Sequence, residues 1–222
     1  MIFFDKVTLR YHYDDFDVLK DVSFTLDSGV NTILADVHSG KTSICKLLLK
    51  ALTPTSGRIL LNGQDIASIT NANLDILYLP SNPVFFERRS VRYNMEYPLA
   101  VRKVDRTARK QRVDELCNQY GLNPDDKVRS LSSSQRRVLA LARGLTVPRK
   151  VALLDGYFDG ENVDLQYIDS VLQHFDTCVV LTSDTRLAMG HTVVLDGGTT
   201  VYEGDAEQAK KYVSNLYWIF DN

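Results

Sequence analysis

The sequence predicts an α/β fold with a parallel sheet covered on both faces, and three observations carry that prediction. Short apolar runs alternate along the chain with stretches whose apolar residues recur three and four apart. The run Val30 to Ala35 leads directly into Asp36-Val37-His38-Ser39-Gly40-Lys41-Thr42-Ser43 and then into a helical pattern, the strand, loop and helix order of a phosphate-binding loop. Far downstream, the apolar run Val151-Ala152-Leu153-Leu154 ends in Asp155, a carboxylate at the C-terminal end of a buried strand, which is where open α/β sheets bind ligands.

Each element follows from its own residues. Val7 to Tyr11, Val22 to Leu26 and Val30 to Ala35 have the β-branched and aromatic content that suits a pleated surface. Ile44, Leu47, Leu48 and Ala51 set a helical register that Pro54 and Gly57 close. Arg58 to Leu61 is a strand ended by Asn62-Gly63, a hairpin signal, and Leu74 to Leu79 is a short strand ended by Pro80. From Ser90 to about Gly121 the pattern is helical and strongly charged, as in a separate lobe. Helices over Gln135 to Val147 and Val163 to Phe175 then alternate with strands over Val151 to Leu154 and Cys178 to Thr182. Val193 to Leu195 and Thr200 to Tyr202 flank Gly197-Gly198 as a terminal hairpin.

Composition narrows the function classes. The 222 residues carry 26 basic and 28 acidic side chains, a net charge of −2, which is too balanced for a nucleic-acid arm, so no nucleic-acid partner is expected. The 44% apolar and 24% charged content excludes a disordered, collagen-like or coiled-coil chain. Cys45, Cys117 and Cys178 stand at no metal-ligand spacing and read as small buried thiols. No apolar run approaches the roughly 18 residues of a membrane span, and the start lacks the pattern of a signal peptide, so a cytosolic location is expected.

In a phosphate-binding loop, backbone N–H groups and the helix N-terminus cradle phosphates, the lysine reaches the β- and γ-phosphates, and the following hydroxyl binds magnesium. Lys41 and Thr42 are the candidates, with His38, Ser39, Gly40 and Ser43 completing the loop. Asp155 is the matching magnesium carboxylate. The plain alternatives are a strand-to-helix turn built on Gly40 and a turn aspartate before Gly156.

A third segment makes the resemblance specific. Leu131-Ser132-Ser133-Ser134-Gln135, followed by Arg136-Arg137-Val138 and leading into a helix, resembles the LSGGQ signature of ATP-binding cassette (ABC) ATPases. The order of phosphate loop, signature, aspartate strand and terminal strands covers essentially the whole chain. Tyr11 resembles the aromatic that stacks on adenine, with a half-buried strand tyrosine as the plain alternative. Tyr78-Leu79-Pro80-Ser81-Asn82-Pro83-Val84-Phe85-Phe86 resembles the Q-loop, and the stretch from Ser90 to Gly121 resembles the helical subdomain of importer-type subunits.

That resemblance implies one ABC nucleotide-binding domain over 1–222: a phosphate-loop NTPase core of ABC type with an N-terminal antiparallel β-lobe, spanning 1–83 and 149–222, and a helical subdomain over about 84–148. It implies Mg-ATP held by Tyr11, Lys41, Thr42 and Asp155, with Ser132, Ser133, Ser134 and Gln135 reaching a partner's nucleotide. It further implies a peripheral subunit on the inner face of the cell membrane, docked to a transmembrane transporter subunit, in a homodimer or a heterodimer with another ABC domain. The basic run Arg102, Lys103, Arg106, Arg109, Lys110 and Arg112 reads first as a solvated helix face, and the aromatic tail Tyr212, Leu216, Tyr217, Trp218 and Phe220 as docked against the fold.

The departures from the family pattern fall on residues that do chemistry. Ala35 and His38 replace loop glycines, Ser81 replaces the Q-loop glutamine, and Gly156 replaces the glutamate that polarises water. Ser183 replaces the switch histidine, with His191 too far along to be the same residue, and Asn162 replaces an aspartate. Ser133 and Ser134 replace the two signature glycines. General-base help is worth roughly 100 to 10,000-fold in rate, so weak or absent hydrolysis is expected. Asp159 lies near enough in sequence to substitute, but the family pattern aims that position toward a partner subunit. Two readings follow: an ATP-binding subunit that couples nucleotide to solute transport, and a catalytically silent nucleotide-binding or scaffold subunit paired with a competent partner.

Overall fold

A computed structural model describes residues 1–12, 15–36, 39–160 and 164–217, with side chains described for these apart from 72 and 214–217. The chain forms two compact units, one of residues 1–78 with 150–222 and one of residues 79–149.

The larger unit holds two sheets. The first runs β2-β1-β4-β5 from strands β1 (Ile2–Leu9), β2 (Leu19–Leu26), β4 (Ser56–Leu61) and β5 (Gln64–Asp65), every pair antiparallel. The second sheet has the order β10-β9-β3-β8-β7-β6. Its strands are β3 (Gly29–Ala35), β6 (Ile76–Pro80), β7 (Val151–Asp155), β8 (Thr177–Thr182), β9 (His191–Asp196) and β10 (Thr199–Asp205). Strand β3 pairs in parallel with both β8 and β9, and β7 pairs in parallel with β8, while β10 returns antiparallel along β9. Strand β3 thus belongs to the parallel sheet, while the antiparallel strands lie before and after it in sequence.

The strand expected to start at Val7 begins at Ile2. Lys6 adopts a left-handed backbone, φ 49, and the pairing with β2 shifts register between Phe4 and Val7. That bulge moves the buried set from Ile2 and Phe4 to Val7 and Leu9, so strict alternation fails at the middle of the strand and hides its first half. The Asn62-Gly63 turn is as expected: both residues have positive φ, 52 and 80, which a two-residue hairpin demands.

Strands β7 and β8 are buried along almost their whole length because they lie inside a parallel sheet, which explains their unbroken apolar runs. Helix α1 (Lys41–Leu48) starts three residues before the expected first apolar residue and ends where Leu49 caps it and Lys50 turns left-handed, φ 58. It buries Ile44, Cys45, Leu47 and Leu48 in a core shared with Ile33, Leu153 and Leu181 of the parallel sheet and with Phe4 and Phe24. The last two rings stack with centroids 4.4 Å apart, adding about 0.5–1.5 kcal/mol beyond their burial.

Helix α5 (Leu165–Leu172) is shorter than expected, and Val163 lies outside the described residues. Helix α6 (Ala206–Tyr217) docks through Ala206, Ala209 and Val213 onto Leu34 and Val194. Of the expected aromatic tail, Tyr212 is exposed and lies against Tyr202 with centroids 4.6 Å apart. The side chains of Leu216 and Tyr217, with Trp218 and Phe220, lie outside the described residues.

The smaller unit packs α2 (Val91–Val101), α3 (Arg106–Tyr120) and α4 (Ser133–Leu145) pairwise over Val91, Met95, Val113, Leu116, Cys117 and Leu139. Asp105 caps α3 by accepting from the N–H groups of Thr107 and Ala108, and Arg102, Lys103, Arg106 and Lys110 are exposed, a solvated face. All three cysteines are buried.

Candidate functional site

The loop after β3 ends at Gly40, whose φ of 92 sets the left-handed entry to α1. A Cβ there would stand 2.6 Å from Leu19 Cδ2, so any other residue would have to shift the Leu19 side chain as well as adopt the left-handed backbone. Ser39 N–H donates to Asp36 O over 3.3 Å, closing the turn. The Lys41 ammonium folds over the loop and donates to the carbonyls of Ala35 at 2.5 Å and Asp36 at 2.7 Å. Residues Val37 and His38 lie outside the described residues, so His38 has no structural account.

Asp155 is the hub of the site. Its Oδ2 accepts from Thr42 Oγ1 at 3.2 Å and from the Tyr78 hydroxyl at 2.9 Å, bringing together the first turn of α1, the end of β7 and the end of β6 within the larger unit. Burial first, then the Asp155 charge, pushes the Tyr78 phenol well above its ordinary range, so it stays protonated and donates. In the sequence, Tyr78 stands only within the segment that resembles the Q-loop. No periodicity links it to Asp155, 77 positions away.

Lys41 is half-buried, and burial lowers its pKa; three carboxylates oppose that shift, Asp159 most strongly, then Asp36, then Asp155. Asp159 is half-buried beyond the end of β7. Its N–H donates to Gly156 O at 3.2 Å in a tight turn that Gly156 permits with φ 61, and its Oδ1 accepts from Thr182 Oγ1 at 2.6 Å. The turn reverses the chain after β7 and returns the carboxylate to the end of the sheet. Burial raises its pKa, and the Asp184 and Asp155 charges add to that, while Thr182 and Lys41 act against it.

The remaining expected residues fall into two groups. In the larger unit, Ser183 is half-buried after β8, and Gly156 follows Asp155 with its N–H on Leu181 O at 2.9 Å. Tyr11 packs against the core with its hydroxyl 3.0 Å from Ser43 Oγ and the Lys46 ammonium 5.5 Å above its ring, which places this aromatic against α1. His191 pairs with Glu203 at 3.1 Å. Asn162 lies outside the described residues.

In the smaller unit, Ser81 is exposed on the loop that follows β6. Ser132 and Gln135 form a reciprocal cap on α4: Gln135 N–H donates to Ser132 Oγ at 3.3 Å and Ser132 N–H donates to Gln135 Oε1 at 2.9 Å. Ser133 and Ser134 are exposed in the first turn, with Ser134 Oγ 3.0 Å from Ser132 Oγ. The serines that replace glycines are thus compatible with an ordinary helix start.

The donor set suits magnesium. A carboxylate and a hydroxyl are hard oxygen donors, and no cluster of three or more histidine, cysteine or acidic side chains that could cage a metal occurs among the described residues. Magnesium is usually held by one or two carboxylates together with substrate phosphates, and one carboxylate beside a phosphate-type loop is that arrangement.

The chain matches the family described as ABC transporter over residues 19–158. It is 34% identical over 141 residues to the molybdate/tungstate import ATP-binding protein WtpC of Methanocaldococcus jannaschii, covering 62% of this chain and 47% of that protein. The Thermococcus kodakarensis protein of the same name is also 34% identical, over 67% of this chain and 45% of its own length, so the chain spans about half of these relatives. A probable sulfate/thiosulfate import ATP-binding protein CysA of Chlorella vulgaris is 28% identical over 97% of this chain and 96% of that protein. Among solved structures, a bacterial Atm1-family ABC exporter with ATP bound superposes with a TM-score of 0.80 at 22% identity, covering all of this chain and 42% of that one, which shows the same fold.

Proposed function

Since this chain belongs to the ABC transporter family, we propose that it is the ATP-binding subunit of a membrane transporter, coupling ATP binding to solute movement. The observation that carries the reading is Asp155 Oδ2 accepting from Thr42 at 3.2 Å, because it sets the magnesium carboxylate and the magnesium hydroxyl side by side at the mouth of the loop. In this reading Lys41 leaves the Ala35 and Asp36 carbonyls for the β- and γ-phosphates, the amides that open α1 face them, and Tyr11 stacks on the adenine. Thr42 and Asp155 would hold magnesium, which would supply positive charge to offset that of the phosphates. Ser132 to Gln135 serve the nucleotide of a second ABC domain, identical or different, and a transmembrane subunit holds the pair at the inner face of the membrane. No helix among the described residues is long and apolar enough to cross a membrane.

A silent subunit is the competing reading, favoured by the absence of a carboxylate at Gly156 and of an imidazole at Ser183. Calorimetry with Mg-ATP on the purified chain, with Lys41→Ala as control, tests the proposal. Binding that disappears in Lys41→Ala is expected. No heat from the unaltered chain would reduce it to a scaffold.

A further inference from the structure

Gly156 leaves the expected carboxylate position empty, yet a second acidic side chain reaches the same end of the sheet. We infer that Asp159 is the general base of this site, the carboxylate that takes the proton from the water attacking the γ-phosphate; this rests on the ATP-binding reading above.

The geometry is specific. Thr182 is fully buried at the end of β8, and its hydroxyl accepts from Asp184 N–H at 2.9 Å. With an acceptor role already taken up there, its one proton goes to Asp159 Oδ1, 2.6 Å away. Oδ1 is thereby fixed, while Oδ2 has no hydrogen-bond partner among the described residues and is available to a water. The loop carrying Asp159 is tied down on its other side by Arg186, which donates to Gly160 O at 3.2 Å while pairing with Asp184.

Strand register places the carboxylate beside the phosphate end of the site. Thr182, which holds it, stands opposite Leu34 of β3, and Leu181 stands opposite Asp155 of β7. The half-burial of Asp159 favours the protonated form, which makes it a stronger base than an exposed aspartate.

The step balances as follows. The water oxygen forms a bond to the γ-phosphorus as the bond from that phosphorus to the β,γ-bridging oxygen breaks, and the electron pair leaves on the β-phosphate as ADP. The water proton passes to Asp159 Oδ2 and is then released to solvent with the inorganic phosphate.

The test uses the full chain with Mg-ATP, measuring binding by calorimetry and phosphate release in the same preparation. Asp159→Asn is expected to bind Mg-ATP within about threefold of the unaltered chain but to release phosphate about 100-fold more slowly or worse. Added sodium formate is expected to restore release in proportion to its concentration, which loss of a merely structural contact would not permit. Thr182→Val removes the donor to the charged carboxylate, so the acid limb of the rate profile should move to higher pH. Unchanged release in Asp159→Asn, a loss that formate leaves untouched, or Mg-ATP binding by the unaltered chain with release at background would each overturn the assignment. Failure of the unaltered chain to bind Mg-ATP would instead overturn the nucleotide reading, and calorimetry reads that separately.

Discussion

The Tyr78 hydroxyl and the Thr42 hydroxyl converge on one oxygen, Asp155 Oδ2, from 2.9 and 3.2 Å. The two donors approach from different elements, so they hold the carboxylate in one rotamer, and Oδ1 has no hydrogen-bond partner among the described residues. The carboxylate is aimed before any cation arrives.

Removing one donor should loosen that aim. Tyr78→Phe keeps the ring packed on the core and deletes only a hydrogen bond to a charged group, for an expected loss of about 1.5 kcal/mol in urea unfolding. Affinity for Mg-ATP should fall several-fold while affinity for ATP with chelator present stays constant. Equal losses with and without magnesium would show that Tyr78 does not act through Asp155.

Restoring the family's glutamate should not restore a family-like site. Gly156 holds φ 61, a backbone that side chains with a Cβ adopt at a cost of about 1–2 kcal/mol, and the turn returning Asp159 depends on it. Gly156→Glu is expected to lower the unfolding midpoint and to leave phosphate release no faster. Faster release would mean that the turn relaxes and that Asp159 is dispensable.

The signature-like turn is a helix cap by construction. Ser132→Ala removes the side-chain half of the reciprocal cap with Gln135, an expected loss of about 1 kcal/mol, with faster amide exchange at Gln135. Unaltered exchange there would show that the cap contributes nothing to the order of α4.

The cysteines give a pH dependence whose sign is set by burial. Burial raises Cys45 well above its ordinary 9.0 and pushes Cys178 up to about 12, because a buried thiolate loses its hydration. Below the unfolded value both thiols are protonated in either state. As pH climbs past it, the unfolded chain ionises first, so the stability associated with each thiol is lost progressively as pH rises toward its folded value, by up to about 1.4 kcal/mol per pH unit. Iodoacetamide at pH 8 should leave all three cysteines unmodified in the folded chain and alkylate all three in denaturant. Rapid labelling of the folded chain at Cys178 would contradict the burial.

Local chemistry made much of this molecule legible in the amino-acid sequence. The strand, loop and helix around Lys41, the carboxylate at the end of Val151–Leu154, the Asn62-Gly63 hairpin and the serine-led start of α4 each depend on neighbours a few residues away, so propensity, turn chemistry and capping decide them alone. The family resemblance rests on their order, and the match over residues 19–158 agrees with it. What the sequence could not express is pairing between distant segments. The bulge at Lys6 breaks the period that would reveal the start of β1, and β3 leaves the antiparallel lobe because it pairs with β8 and β9. The contacts that give the site its direction, Tyr78 and Thr42 on Asp155 and Thr182 on Asp159, join residues separated by 77, 113 and 23 positions. Parallel pairing of β7 with β8 and of β8 with β3 brings the strand ends together, and hydrogen bonds that form only at that meeting point, with no local pattern to announce them, decide which carboxylates face the loop.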